Sequence, residues 1–522
     1  MVRSTTLVVF NEKTLFEWRL GKKFSIEYTV DSLKKYKNEI LKENSEYILF
    51  WDANNGELSE NKILEIINSK GDLWHIGPLI GLNDFPFLLD FIQPTNMLNL
   101  RVKETINHSS WRHTFKGSLM KFRVFKEIQI SSYSNSLDII GLDFGYKSMK
   151  SGVLTRYSHL FLNGKKETVN FSFKKKEELL FIRNNFDSKA FFWCYLLSFF
   201  KISPLTFFKV YKNKENNSEN IFNQDISQKE VLIGKDLSVS IVIATLERYP
   251  FLENELEELR LLEIPVQEII IIDQTPKEKR NKEFLNAFRD LPILYLETDV
   301  IGQCTARNKG IGVSKSKFIW FLDDDMEEIP ANYLEKHLRT MYSFDADVSC
   351  GVPDEIGTHY IDRSISKIEL SDGFPTNDVL VKRNLLEEVG GFDIKMDQKQ
   401  SEDQEIGLRL IKKGALSVKN NQLRIVHLRA NRGGLRNHDV RKVTFASSRN
   451  SLFERRYLNL KHFTKKLVHK SLLLNIRGTF IVRGNLLKQV IKVLLGFILL
   501  PHTLAKIIIS VNVAKKLLNE RT

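Results

Sequence analysis

What this chain lacks narrows it first. Its 522 residues include three cysteines, Cys194, Cys304 and Cys350, far apart, odd in number and with no CxxC pair. That argues against a disulfide framework or a zinc knuckle and leads us to expect a reducing, intracellular setting. Long hydrophobic runs are missing too. No stretch reaches the roughly 18 uncharged apolar residues of a spanning helix, and Leu7-Val-Val-Phe10 before Asn11 and Glu12 is too short for a signal-peptide core. Neither secretion nor simple membrane insertion is expected. Acid is scarce in one place: from Glu454 to Thr522 fourteen Lys or Arg face two acids, so this tail holds +12 of the net +14. The tail also carries the apolar blocks Val493–Leu500 and Ile507–Ile509, with Lys488 and Lys492 one helical turn apart. Basic and apolar together, it reads as a helical segment lying on an anionic membrane surface. Aromatic residues are not interleaved with the basic ones, which argues against nucleic acid. The alternative, helices that cap a neighbouring domain or form an oligomer contact, stays open.

What is present is ordinary globular material, 42% hydrophobic and 27% charged, too long for one core and suited to two domains with extras. Between Tyr211 and Lys235 the composition turns polar (Lys-Asn-Lys-Glu-Asn-Asn-Ser-Glu-Asn), as an interdomain linker would. The expected organisation is a first domain over 1–210, a linker over 211–235, a second domain over 236–453 and the tail over 454–522. After the linker, Leu237–Ala244 and Glu268–Asp273 are near-continuous β-branched runs, each followed by a helix-compatible stretch. Such alternation predicts an α/β fold with a mostly parallel sheet covered on both faces, its ligand site at the carboxyl ends of the strands, where Thr245 and Asp273 stand.

The two halves also share a frame. Tyr47–Asn54 lies over Phe318–Asp325, Ser118–Lys121 over Val379–Lys382, Leu142–Lys147 over Gln404–Arg409, and Arg183-Asn184 over Arg449-Asn450, all in the same order. The ordered set predicts a duplicated fold. In the first copy Asn54, Ala53, Ile140 and Gly141 stand where the second has Asp325, Asp324, Glu402 and Asp403, while Asp52 remains. That copy should be inert, its front half trimmed, and suited to acceptor binding, positioning or dimerisation. Its aromatic block Phe191–Phe200 is expected to be core.

Chemistry concentrates in the second half. Asp323-Asp324-Asp325 follow an apolar strand and offer the hard oxygen donors that Mg2+ or Mn2+ prefers. His427, ending Leu423-Arg-Ile-Val-His427, is a candidate third ligand, with a packed core histidine as the alternative. About 80 residues after the aspartates comes Glu402-Asp403-Gln-Glu-Ile-Gly-Leu-Arg409. A cation to hold a departing diphosphate and a carboxylate to deprotonate a hydroxyl are what sugar transfer from a nucleotide diphosphate needs.

Together, Ser240–Thr245 with Arg248, the strand ending in Asp273, Gly302–Gly310, Phe321–Asp325, Gly390–Asp393 and Glu402–Glu405 with Arg409 resemble the glycosyltransferase family 2 enzymes. The resemblance covers about 200 residues and implies a GT-A fold, Rossmann-like, so that the chain would be tandem GT-A-like domains followed by the helical tail. It implies that Thr245, Asp273 and Arg307, with Arg248, Asp324, Glu402 and Arg409 nearby, hold the donor. Asp323 and Asp325 would form the Asp-x-Asp element, Asp325 being the more direct metal ligand, and Asp403 the general base of a single inverting displacement. Gln274-Thr275-Pro276 departs from the family's smaller residues at that point. The expected partners are a nucleotide-diphosphate sugar, UDP-linked above all, a glycan or lipid-linked acceptor and an anionic membrane, with homo-oligomerisation left open. The expected place is cytoplasmic, at the inner face of the membrane, in cell-surface polysaccharide synthesis. The rival readings are a non-catalytic nucleotide- or glycan-binding scaffold of a synthase and a nucleotidyltransferase.

Overall fold

A computed structural model describes residues 4–11, 18–56, 58–77, 105–162, 174–197, 202–215, 221–222, 237–356, 363–371, 373–397, 402–430 and 433–434, with single helical positions at 505, 508 and 512. The first half runs β1 (Thr5–Phe10), β2 (Lys23–Ile26), α1 (Val30–Lys42), β3 (Tyr47–Asp52), α2 (Glu60–Ile67), β4 (Leu73–His75), β5 (His108–Ser109), β6 (Gly117–Lys121), α3 (Phe122–Glu127), α4 (Leu137–Lys150), β7 (Thr155–Tyr157), α5 (Lys175–Asn185), α6 (Ser188–Leu197) and α7 (Pro204–Lys212). The second runs β8 (Val239–Thr245), α8 (Tyr249–Leu259), β9 (Glu268–Asp273), β10 (Ile293–Glu297), α9 (Gln303–Val313), β11 (Phe318–Asp323), β12 (Met326–Glu327), α10 (Tyr333–Phe344), β13 (Val348–Cys350), β14 (Asp354–Glu355) and β15 (Ile368–Leu370). It continues with β16 (Asp378–Lys382), α11 (Arg383–Glu388), α12 (Glu402–Lys412), β17 (Ser417–Asn420) and β18 (Val426–His427).

Why the runs after residue 237 form central strands is visible in their two faces. Ile241, Ile243, Ile269, Ile271 and Trp320 enter one core cluster, while their neighbours Val242, Ile270, Ile272, Ile319 and Phe321 enter another on the opposite face. A strand apolar at every position is stable only when both faces are covered. On one face α8 supplies Leu252, Leu256 and Leu259, at helical spacing, to the first of these clusters.

The sheets correspond strand for strand. The first is ordered β2-β1-β3-β6-β4-β7-β5 and the second β10-β9-β8-β11-β16-β13-β17-β15, so among the described residues β10 is the one strand of these two sheets without a counterpart, while the small sheet β12-β18-β14 belongs to the second half. Every matched pairing keeps its sense: β1 is parallel to β2 and β3, as β8 is to β9 and β11. β6 is antiparallel to β3 and β4, as β16 is to β11 and β13. β7 is parallel to β4 and antiparallel to β5, as β17 is to β13 and β15. Register places Tyr47 opposite Lys121 and Phe318 opposite Lys382, the alignment read from the sequence. Even a local device recurs. Asp72 accepts from Lys121 Nζ (2.6 Å) and Leu154 N (2.9 Å); Asp347 accepts from Lys382 Nζ (2.8 Å) and Leu416 N (2.9 Å).

The front of the first sheet is shorter: residues 11–22 separate β1 from β2, where 246–267, including α8, separate β8 from β9. The aromatic block is core only in part: Phe191, Cys194 and Tyr195 are buried, with Phe207 of α7 stacked on Phe191 and tilted against Tyr195, while Phe192 is exposed. That stacking carries α7 to Lys212, two residues into the segment expected as linker, and Phe222 is buried in the same core. Arg449-Asn450 and nearly all of the tail lie outside the described residues.

Candidate active site

The site is assembled where parallel strands end. In register, Thr245 is paired with Asp273 and Asp323 with Ala244, which sets the three strand ends side by side. Just past β11 the chain turns into β12, whose antiparallel pairing with β18 lays Met326 against His427. Two segments 100 residues apart in sequence thereby meet. His427 Nε2 is 3.4 Å from Asp325 Oδ1 and 3.9 Å from Asp323 Oδ2. Asp323, Asp325 and His427 present ligand atoms that all lie within 4.8 Å of one another.

These residues fit a divalent cation. Oδ1 of Asp325 is buried and accepts no hydrogen bond, while its Oδ2 takes the Ala430 N–H at 2.7 Å, which orients the carboxylate. Burial alone would raise the Asp325 carboxyl, but His427, Arg248 and that N–H hold it below the usual carboxylate range. Glu355 on β14 stands 3.8 Å from His427 Nδ1, an outer partner that nothing in the sequence pattern singled out.

Arg307 on α9 ties this cluster to the second one. Its Nη2 donates to Asp323 Oδ1 at 3.0 Å and its Nη1 lies 3.6 Å from Glu402 Oε1, at the start of α12. The aspartate strand and the helix opening with Glu402-Asp403 are thus brought to one place. Burial raises both the Glu402 and Asp403 carboxyls above their ordinary values, Arg307 opposing in each case. Asp403 keeps one oxygen for the Gln404 N–H at 2.8 Å.

Other expected donor-site residues are engaged elsewhere. Arg248 and Asp324 form a buried pair at 2.8 Å, and Arg248 also donates to Ala430 O and stands 3.4 Å from Asp325 Oδ2, so they brace the aspartate turn. Burial pushes the Asp324 carboxyl up to about 6 despite that partner. Arg409 is spent on Glu405 (2.6 Å) within α12 and on Val389 O, away from Glu402 and Asp403. Asp273, fully buried, accepts from Thr275 N (2.8 Å), from the Tyr249 hydroxyl (2.6 Å) and from the Tyr295 hydroxyl. Arg307 is likewise turned toward carboxylates, where the resemblance implied a place beside the nucleoside. Gln274, the departure from the family pattern, accepts the Gly302 N–H at 2.7 Å and so holds the start of α9.

Besides Glu355, four residues were missed by the sequence reading. Asp397 caps α9 from the loop before α12, accepting from Cys304 N (2.6 Å) and Thr305 N (3.2 Å). Tyr249 and Tyr295 clasp Asp273. Glu255 on α8 is fully buried, and burial and then the charge of the three aspartates push its carboxyl well above the usual range. No spacing rule could have found contacts made between separate strands and helices.

Residues 240–394 match the sequence family Glycosyl transferase family 2. Within the second half, the segment 240–394 is thus similar to the glycosyltransferases of that family, and it lies in a mixed, largely parallel α/β sheet. Among solved structures, S. aureus TarS 1–349 is similar at 13% identity over 54% of this chain and 90% of that one, with a TM-score of 0.35. The mannosyltransferase PcManGT from Pyrobaculum calidifontis, solved with GDP-Man and Mn2+, is similar at 14% identity over 54% and 88%, with a TM-score of 0.38. GalNAc-T7, solved with UDP, GalNAc and Mn2+, shares 17% identity over 45% and 55%, with a TM-score of 0.34. No curated protein matches.

Proposed function

We propose that the second half transfers a sugar, with inversion, from a nucleotide-diphosphate donor to a hydroxyl of a glycan or lipid-linked acceptor. The observation that carries this reading is the meeting of two acidic groups through Arg307: Asp323, Asp325 and His427 on one side, Glu402 and Asp403 on the other. Asp323, Asp325 and His427 would hold Mg2+ or Mn2+, which when bound supplies positive charge to the departing diphosphate. Asp403 takes the proton of the acceptor hydroxyl as that oxygen attacks the anomeric carbon, and its raised affinity for a proton suits a base. Glu402, held by Arg307, keeps the start of α12 against the aspartate strand. Thr245 and the Asp273 strand end line the donor's side, with Asp273 acting through Tyr249 and Tyr295. Hydrolysis would need a second carboxyl as acid, whereas a diphosphate leaves as an anion.

The tail's charge supports a place at the inner face of an anionic membrane, in cell-surface polysaccharide synthesis; among the described residues no helix is long and apolar enough to cross one. The reading is tested by titrating the full chain with UDP, GDP and CDP, with Mn2+ and then with chelator, beside Asp325→Ala. One nucleotide is expected to bind with Mn2+, UDP before the others, and to be lost in the variant. Binding of none of the three would favour the scaffold reading.

A further inference from the structure

The two halves meet through equivalent surfaces. From the strand registers, Gly152 corresponds to Gly414 and Asn107 to Ile368. A Cβ on Gly152 would stand 2.6 Å from Ile368 O, and one on Gly414 2.7 Å from Asn107 O, so each glycine abuts the counterpart of the carbonyl that abuts the other. The apolar side of the seam obeys the same symmetry: Tyr146, Met149 and Leu154 share one core cluster with their own equivalents Leu408, Ile411 and Leu416. On a twofold axis a residue meets its own counterpart. Lys70 and Asp345 are such a pair, 3.9 Å apart, with Lys70 also 2.7 Å from Asp347. In a dimer of identical chains that position would set like charge against like; duplication allowed the two to diverge.

We propose that the first copy is a built-in subunit, joined to the second about a pseudo-twofold axis, whose task is to position α12. Leu408 and Ile411 of that helix pack into the first copy's core, and Arg156 of β7 donates to Gly414 O at 2.8 Å, closing the turn after it. The helix that opens with Glu402-Asp403 is thus anchored at its far end by a unit without catalytic acids. That α12 carries the base rests on the proposed function; that the first copy braces it does not.

The test uses the full chain. Hydrogen exchange is followed by segment in wild type, in Arg156→Ala, in Lys70→Asp and in Lys70→Asp with Asp345→Lys, while UDP with Mn2+ probes the donor site. We expect amides of 402–418 to exchange about tenfold faster in both single variants, with the charge exchange recovering part of the Lys70→Asp loss, since Asp347 is left beside an acid. Amides of α8 and α9 and the UDP affinity should stay within about twofold. Donor turnover should fall through kcat rather than KM. Unchanged exchange in 402–418, or acceleration spread evenly over 239–323, overturns the proposal. As a second arm, a protease site placed within 224–235 is cut after folding; the halves should co-elute and keep turnover, and separation with turnover intact would equally overturn it. Were the glycosyltransferase reading wrong instead, nucleotide binding and turnover would be missing while the exchange pattern and co-elution stood.

Discussion

Asp52 and Asp323 occupy the same register position at the ends of β3 and β11, and their surroundings differ in every respect that matters to chemistry. Asp52 is folded back on itself: Oδ1 accepts from Asn54 N (3.0 Å) and Asn54 Nδ2 (2.9 Å), and Oδ2 from Asn11 Nδ2 (3.4 Å). Asp323 is a quarter exposed, answers to Arg307 and faces His427. On the helix behind, Ile140 and Gly141 are buried where Glu402 and Asp403 are partly open. Yet the packing beneath is shared, down to the pairs Asp143–Lys147 (3.2 Å) and Glu405–Arg409 (2.6 Å) at the same helical turn. Scaffold and site are separable: the sheet's core depends on burial and register, whereas the site depends on a few side chains at its rim that burial does not select.

The largest effect should come from making the second copy as bare as the first. Asp403→Asn keeps the shape and removes the proposed base; transfer should fall about 10² to 10⁴-fold in a turnover assay, the range of a lost general base, while UDP and Mn2+ binding persist. An unchanged rate would reassign the base.

Acid should separate the copies next. Burial holds the imidazoles of His75, His108 and His113, all in the first copy, down to about 4, 3 and 3. A depressed folded value means stability that is present above the unfolded value of about 6.5 and lost as pH falls toward the folded one. At pH 5 each histidine should cost on the order of 2 kcal/mol, so exchange protection should fail first in β4 to β7. Equal loss in both sheets would contradict the assignment.

A smaller effect sharpens the comparison from the active side. Because burial raises Asp403, the acid limb of kcat should fall off above the ordinary aspartate value, and activity should rise with pH through it. A limb at or below that ordinary value would show a base with no such environment. The smallest effect is expected from Asn54→Asp, which restores an acid without a neighbouring histidine or base; titration with UDP and Mn2+ should change less than about twofold.

Much of this was legible in the chain alone. The strands and their two-faced burial followed from β-branched runs, and the duplicated frame from four ordered matches, two of which the sheet registers reproduce and a third of which the helical pairs Asp143–Lys147 and Glu405–Arg409 repeat. So did the two acidic groups, because carboxylates at strand ends and helix starts are local features. Illegible were the partners. Arg248, Arg307 and Arg409 look alike in sequence, as cations beside acidic motifs, but tertiary contact spends one on Asp324, another on Asp323 and Glu402, and the third on Glu405. The sequence by itself determined the fold class, the repeat and where the acids lie, since backbone propensity and hydrophobic period act over a few residues. Only the tertiary structure decided that His427 meets Asp325, that Asp273 is clasped by two tyrosines, and that α12 leans on the emptied copy. Those facts depend on the approach of segments up to hundreds of residues apart, which short-range pattern does not encode.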